Sequence, residues 1–168
     1  GPGKGALSKY LFEFSDKLIL VEYDTESVEF IKSSFKKHNP NIVKKDFLKY
    51  NLKDVLTQTG KNLIIGNFPY NISSQIIFKI LENYSLVDNL IGMFQREVAK
   101  RIISKPNSKE YGIISVKTQL LYDVKILFEV SPNVFFPKPR VNSSVISLTR
   151  KNNICLLYTS DAADERSS

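Results

Sequence analysis

The chain has 168 residues, 42% of them hydrophobic, and a formal net charge of +7, which suits one domain with a real core and an acidic partner, nucleic acid first. No apolar run is long enough to span a membrane. A lone cysteine, Cys155, excludes an internal disulfide framework and a cysteine zinc site, and a lone histidine, His38, leaves almost nothing for a His-based metal site or a Ser-His triad.

Short apolar runs alternate with helical periodicity, which predicts an α/β fold with a mainly parallel sheet. Gly1-Pro2-Gly3-Lys4-Gly5 is a tight turn leading into a helix through about Phe14, and Lys17 to Tyr23 reads as a buried strand. Thr25 to His38 is a predicted helix with Val28, Ile31 and Phe35 along one face. Strands are expected at 41–45, ending before Asp46, and at 63–67, followed by a helix from Ile72 to Asn83 capped by Ser73 or Ser74. A strand at 90–94 precedes a helix at 95–104, and Pro106-Asn107-Ser108 breaks the chain. The helix predicted at 111–122 places Ile114, Thr118 and Leu121 on one side. Strands at 124–130 and 143–149, joined by the Pro-rich loop 132–139 with no helix between them, suggest an antiparallel hairpin at the sheet edge.

The chemistry concentrates at Asn67-Phe68-Pro69-Tyr70, which closes one apolar run and opens another. An exocyclic adenine amine is a poor nucleophile because its lone pair is delocalised into the ring. The Asn67 side-chain oxygen and a main-chain carbonyl can accept its two N–H bonds and favour a lone pair aimed at an electrophilic methyl. Pro69 stiffens the turn and removes a competing donor. The Tyr70 ring offers a face on which an extruded base can stack. The four residues alone would equally suit a strand-ending turn.

Their surroundings supply a nucleoside-binding pattern. The glycine turn permits close approach of backbone to a ligand. Glu22, at the end of the next strand, can accept two ribose hydroxyls, and Asp46 is placed to read an adenine amine with Phe47 packing on the ring. Gly1-x-Gly3-x-x-Ala6 also fits a dinucleotide fingerprint, so a nicotinamide oxidoreductase is a proper rival. Hydride transfer gives no role to Asn-x-Pro-Tyr, however, and neither a Tyr-x-x-x-Lys motif nor a catalytic histidine is evident. An S-adenosylmethionine enzyme uses every feature.

These motifs resemble those of the ribosomal RNA adenine N6,N6-dimethyltransferases, in their bacterial small-subunit form. The resemblance runs from Gly1 to about Lys151 and has five collinear parts: the glycine turn, Asn67 to Ser74, Phe94 to Ile102, Ser108 to Gly112, and Phe135-x-Pro137-x-Pro139-x-Val141-x-Ser143-x-Val145. It implies a Rossmann-like methyltransferase fold and S-adenosylmethionine bound by Gly1, Gly3, Glu22, Tyr23, Asp46, Phe47 and Asn67. Asn67, Pro69 and Tyr70 would hold the adenine, Phe135 would close an aromatic clamp, and Lys138 and Arg140 would contact RNA. Transfer would be in line, without a metal, and performed twice on each adenine. The implied partner is ribosomal RNA in a small-subunit precursor, met in the cytoplasm by a monomer.

Against that family, the strand expected before Gly1 and a C-terminal helical RNA-docking domain are missing. Residues 1–151 then read as a partial catalytic domain, weakly active or inactive by itself. Residues 152–168 read as a disordered, non-native tail, since Cys155 to Glu165 resembles the translation of a sequencing adapter. Without residues 155–168 the chain has 23 basic and 14 acidic side chains, a charge of +9. Two related functions stay open: a large-subunit adenine methylase conferring macrolide resistance, and a non-catalytic ribosome-assembly factor. Arg96, Lys100, Arg101, Lys105 and Lys109 suit phosphate contact or a solvated helix face equally, Glu97 and Glu110 read as partners for nearby cations, and the serines at 143, 144 and 147 need no chemical role.

Overall fold

A computed structural model describes residues 1–15, 17–59 and 61–152. The strands are β1 (Ile19–Glu22), β2 (Asn41–Lys44), β3 (Leu63–Asn67), β4 (Asn89–Gln95), β5 (Tyr122–Val130) and β6 (Ser143–Arg150). The helices are α1 (Ser8–Leu11), α2 (Thr25–Ser34), α3 (Ser73–Glu82), α4 (Arg96–Ile103) and α5 (Ile113–Leu121). Among the described residues, no helix is long and apolar enough to cross a membrane.

β1 and β2 form a parallel pair, while the other four strands form a second sheet in the order β3-β4-β6-β5. β3 and β4 are parallel, and β6 is antiparallel to both β4 and β5. Three of those four strands therefore share one direction, and the β5–β6 hairpin occupies the edge as expected. Among the described residues β1 pairs only with β2 and β3 only with β4, so each keeps one edge outside the ladders of these two sheets.

α2 forms where Asp24 can cap it: the carboxylate accepts the Ser27 N–H at 2.7 Å. That bonding, from the Ser27 hydroxyl first and its backbone second, holds the Asp24 carboxyl below the ordinary range. Val28 and Ile31, one turn apart, are buried on a helix that packs against β1 and β2, and the helix ends in a short 3₁₀ turn at Lys36–His38. α3 buries Ile76, Ile77, Ile80 and Leu81 against the larger sheet. The serine cap expected for it is absent, because a 3₁₀ turn at Tyr70–Ile72 precedes it and the Ser73 hydroxyl donates to the Pro69 carbonyl at 3.3 Å instead. The helix expected through Phe14 stops after one turn at Leu11, and Phe12 leaves it to pack on Phe35 and His38. Of the expected tail, residues 153–168 lie outside the described residues.

The main core joins Leu90 and Phe94 of β4, Ile102 of α4, Tyr122 of β5, and Ile146 and Leu148 of β6. Tyr122 is fully buried, and its hydroxyl donates to the Val87 carbonyl at 2.9 Å. Burial raises its pKa; the nearby Arg150 opposes the shift and Asp88 adds to it. The folded state thus holds this proton more tightly than the unfolded chain. Its contribution to stability is full below about pH 10, where unfolded tyrosine titrates, and is lost as pH rises above that. Tyr122→Phe should cost about 1–2 kcal/mol at pH 7, through the carbonyl left unpaired. In urea unfolding the gap between the two proteins should narrow above pH 10, and a gap independent of pH would remove Tyr122 from the account of alkaline instability.

Candidate active site

The parallel strands run toward one rim, which is where an open α/β sheet presents its ligand-binding loops. Glu22, Lys44 and Asn67 end β1, β2 and β3 there. β6 runs the other way and begins at that rim, with Ser143 opposite both Gln95 and Val130. Segments far apart in sequence are thereby brought together.

At the first of these ends, Gly3 and Gly5 have φ of 54° and 78°, which glycine adopts without strain. A Cβ on Gly5 would stand 2.5 Å from the Phe35 ring, whereas the space at Gly3 is open, so backbone can approach a ligand there. A Cβ on Gly1 would collide with the Glu22 carboxylate. Glu22 is 8% exposed and accepts N–H groups from Gly3 at 2.9 Å, Tyr23 at 2.8 Å and Asp24 at 3.0 Å. Two carboxylate oxygens offer about four acceptor positions; a ribose diol would take what remains and share the rest.

Beyond Glu22 lies a cavity of about 560 Å³ lined by Tyr23, Asp46, Lys44, Lys45, Lys49 and Tyr50, among others. Asp46 Oδ1 accepts the Leu48 N–H at 2.9 Å, which sets the carboxylate's orientation. Tyr23, 73% exposed, and Tyr50 are the aromatic residues of this lining. Phe47 is not among the lining residues; its ring packs 6.4 Å from that of Phe68, with Lys79 Nζ 6.0 Å above it.

The second cavity, about 350 Å³, is lined by Asn67, Phe68, Pro69, Tyr70, Met93, Phe135, Pro137 and Pro139. Asn67 is exposed at the end of β3, and among the described residues its amide has no hydrogen-bond partner. Phe68 turns inward over Gly66 and Gly92, which face each other in register on β3 and β4. The two glycines leave a flat seat: a Cβ on either would stand 2.6 Å from the Phe68 ring. That buried ring anchors the turn between Asn67 and Pro69. Phe135, also in the lining, follows a 3₁₀ turn at Pro132–Val134, and the Phe136–Pro137 peptide is cis. Phe136 points fully into solvent, and Lys138 and Arg140 are exposed beside the cavity rather than in its lining.

Of the residues named from the sequence, Tyr23 and Asp46 line one cavity and Asn67, Pro69, Tyr70 and Phe135 the other, while Gly1, Gly3, Glu22, Phe47, Lys138 and Arg140 line neither. Sequence reasoning missed Met93, whose register opposite Asn67 makes it part of the lining. It also set Ser143 aside, yet this fully buried hydroxyl lies 2.5 Å from the Tyr70 hydroxyl. No local pattern points to a contact across 73 residues. Of the basic set, Arg96 pairs with Glu129 at 3.0 Å without the alignment of a hydrogen bond, and Arg101 pairs with Glu97 at 3.6 Å.

Comparison with known proteins places this geometry. The family model for ribosomal RNA adenine dimethylase matches residues 1–158. The chain belongs to that family. It is 49% identical over 156 residues to ribosomal RNA small subunit methyltransferase A of Flavobacterium johnsoniae, covering 93% of this chain and 59% of the relative. The corresponding protein of Porphyromonas gingivalis is 42% identical, with 90% and 59% covered. Among solved structures, a dimethyladenosine transferase from Plasmodium falciparum superposes with a TM-score of 0.78 at 26% identity, over 90% of this chain and 54% of that one. The 23S rRNA methyltransferase ErmE gives 0.79 at 24% identity, over 93% and 61%, and shares the fold. The chain spans a little over half the length of the curated relatives it matches. The fold is that of the Rossmann-like, S-adenosylmethionine-dependent methyltransferases.

Proposed function

We propose that the full-length protein transfers methyl groups from S-adenosylmethionine to N6 of adenines in small-subunit, 16S-type ribosomal RNA, giving N6,N6-dimethyladenosine during ribosome biogenesis. The observation that carries this reading is the packing of Phe47, next to Asp46 of the cavity lined by Tyr23 and Asp46, on Phe68 of the cavity lined by Asn67, Pro69, Tyr70 and Phe135. Residues 1–151 are read as part of the catalytic domain, acting as a monomer in the cytoplasm, with a small-subunit precursor as partner.

The residues around Glu22 fit the cofactor's chemistry: the open backbone at Gly3 admits a close ligand, Glu22 keeps about one of its four acceptor positions for a ribose hydroxyl, and Asp46 can accept an exocyclic amine. Bound there, S-adenosylmethionine supplies an electrophilic methyl group on a sulfonium centre. In the neighbouring cavity Tyr70 and Phe135 would sandwich an extruded adenine, for which aromatic stacking is worth about 1–3 kcal/mol per base. The Asn67 side-chain oxygen and a main-chain carbonyl of the turn accept the two amine hydrogens. This favours a nitrogen lone pair directed out of the ring plane. As the carbon–nitrogen bond forms, positive charge develops on the amine, and the same acceptors stabilise it. One proton then leaves to solvent, so no base of tuned pKa is needed. Most of the acceleration comes from holding the amine in line. Lys138 and Arg140 flank the cavity where RNA phosphates would enter.

Full-length protein incubated with undermethylated ribosomal subunits and S-adenosylmethionine, followed by nucleoside mass spectrometry, tests the reading. Dimethyladenosine in small-subunit RNA is expected. Its appearance only in large-subunit RNA would make the protein a resistance-type methylase, and subunit binding without methylation would make it an assembly factor.

A further inference from the structure

We infer that Ser143 is a positioning residue for methyl transfer, acting through a hydrogen bond that fixes the Tyr70 ring; the inference rests on the function proposed above. The Ser143 hydroxyl is fully buried and lies 2.5 Å from the half-buried Tyr70 hydroxyl, so each satisfies the other. A buried hydroxyl without a partner is costly, and one with a partner is directional. The next residue provides the contrast. Ser144 is equally buried, but its hydroxyl has no partner among the described residues. Side chains alternate across a strand, so only Ser143 meets the cavity side.

The location gives this bond its leverage. Ser143 is the first residue of β6, clamped in register between Gln95 of β4 and Val130 of β5. It is also where the loop carrying Phe135, Pro137 and Pro139 rejoins the sheet. Tyr70 lines the same cavity as that loop. The hydroxyl pair therefore ties the Tyr70 ring to the strand that anchors the loop carrying Phe135. It sets the spacing and tilt of Tyr70 relative to Phe135, and hence where a stacked base presents its amine to Asn67. A tyrosine ring held only by its χ angles would leave that position looser. A small misplacement of the reacting atom lowers the rate strongly, even when the group at fault never touches it.

The test uses full-length enzyme and undermethylated small subunits, with wild type, Ser143→Ala, Tyr70→Phe, the double variant and Ser144→Ala compared for kcat, KM and melting temperature. Ser143→Ala and Tyr70→Phe should each lower kcat by roughly three- to tenfold, the worth of one hydrogen bond, with KM for subunits within about twofold. The double variant should be no slower than the slower single one, and Ser144→Ala should behave as wild type. Multiplicative losses in the double variant, or an equal loss in Ser144→Ala, would overturn the inference. Should Ser143→Ala fail to fold, full activity of Tyr70→Phe would overturn it by itself. A wild type that methylates no subunit would instead bring down the functional reading on which this rests.

Discussion

Asn67→Ala in the full-length protein should lower methyl transfer by about 10²–10³-fold, the usual cost of removing one preorganised group that stabilises developing charge. Binding of small subunits should stay within about twofold of wild type. The reason for this separation is local. Asn67 is exposed, and among the described residues its amide has no hydrogen-bond partner, so truncation leaves no buried group unpaired. The turn itself is held by Phe68 beneath it and by Pro69, neither of which the substitution alters. Rates from nucleoside mass spectrometry, set beside subunit affinities, decide the matter. Equal loss of both would make Asn67 a structural residue of the turn.

A second large effect is expected at a position that carries no reactive group. Gly92→Ala would place a methyl 2.6 Å from the Phe68 ring and 2.7 Å from the Phe94 ring. Both rings are buried, at 5% and 0% exposure, and their centroids are already 5.3 Å apart. Neither can swing into solvent, so Phe68 must rise from its seat. Overpacking of this kind costs about 1–3 kcal/mol; a loss near 2 kcal/mol would lower the melting temperature by roughly 4–8 °C in a domain of this size. Activity should fall further than stability, because Phe68 lies between Asn67 and Pro69 and its displacement moves both. We expect a drop of about 10²-fold in kcat at temperatures where the variant is fully folded. Shortening the ring in the same background, as Phe68→Leu, should recover part of the lost melting temperature. No recovery would mean that the strain at Gly92 is relieved elsewhere.

The α/β succession, the positions of all six strands to within two residues, and the edge hairpin were legible in the sequence. Each rests on a short-range signal: an apolar run of strand length, a helical period, or a Pro-rich break. The cap of α3 and the ends of α1 and α2 were less legible. Ser73 looks like a cap in sequence, but the preceding 3₁₀ turn diverts its hydroxyl to Pro69. The first helix was overextended because Phe12 is drawn into the cluster with Phe35 and His38, a contact made by a later segment.

By itself the sequence determined which groups the turn at residues 67–70 can offer for the proposed chemistry, since Asn67, Pro69 and Tyr70 are contiguous and their types limit what they can do. It also placed Glu22 and Asp46 at strand ends, where side chains meet a ligand in this kind of fold. What the tertiary structure alone decided is how those groups are supported. The Gly66–Gly92 seat exists only because β3 and β4 pair in that register. Met93 faces the cavity for the same reason. Ser143 reaches Tyr70 only because β6 runs antiparallel and begins at the rim where β3 ends. Strand pairing joins residues without regard to their separation along the chain, and no local periodicity records which partner a strand will take.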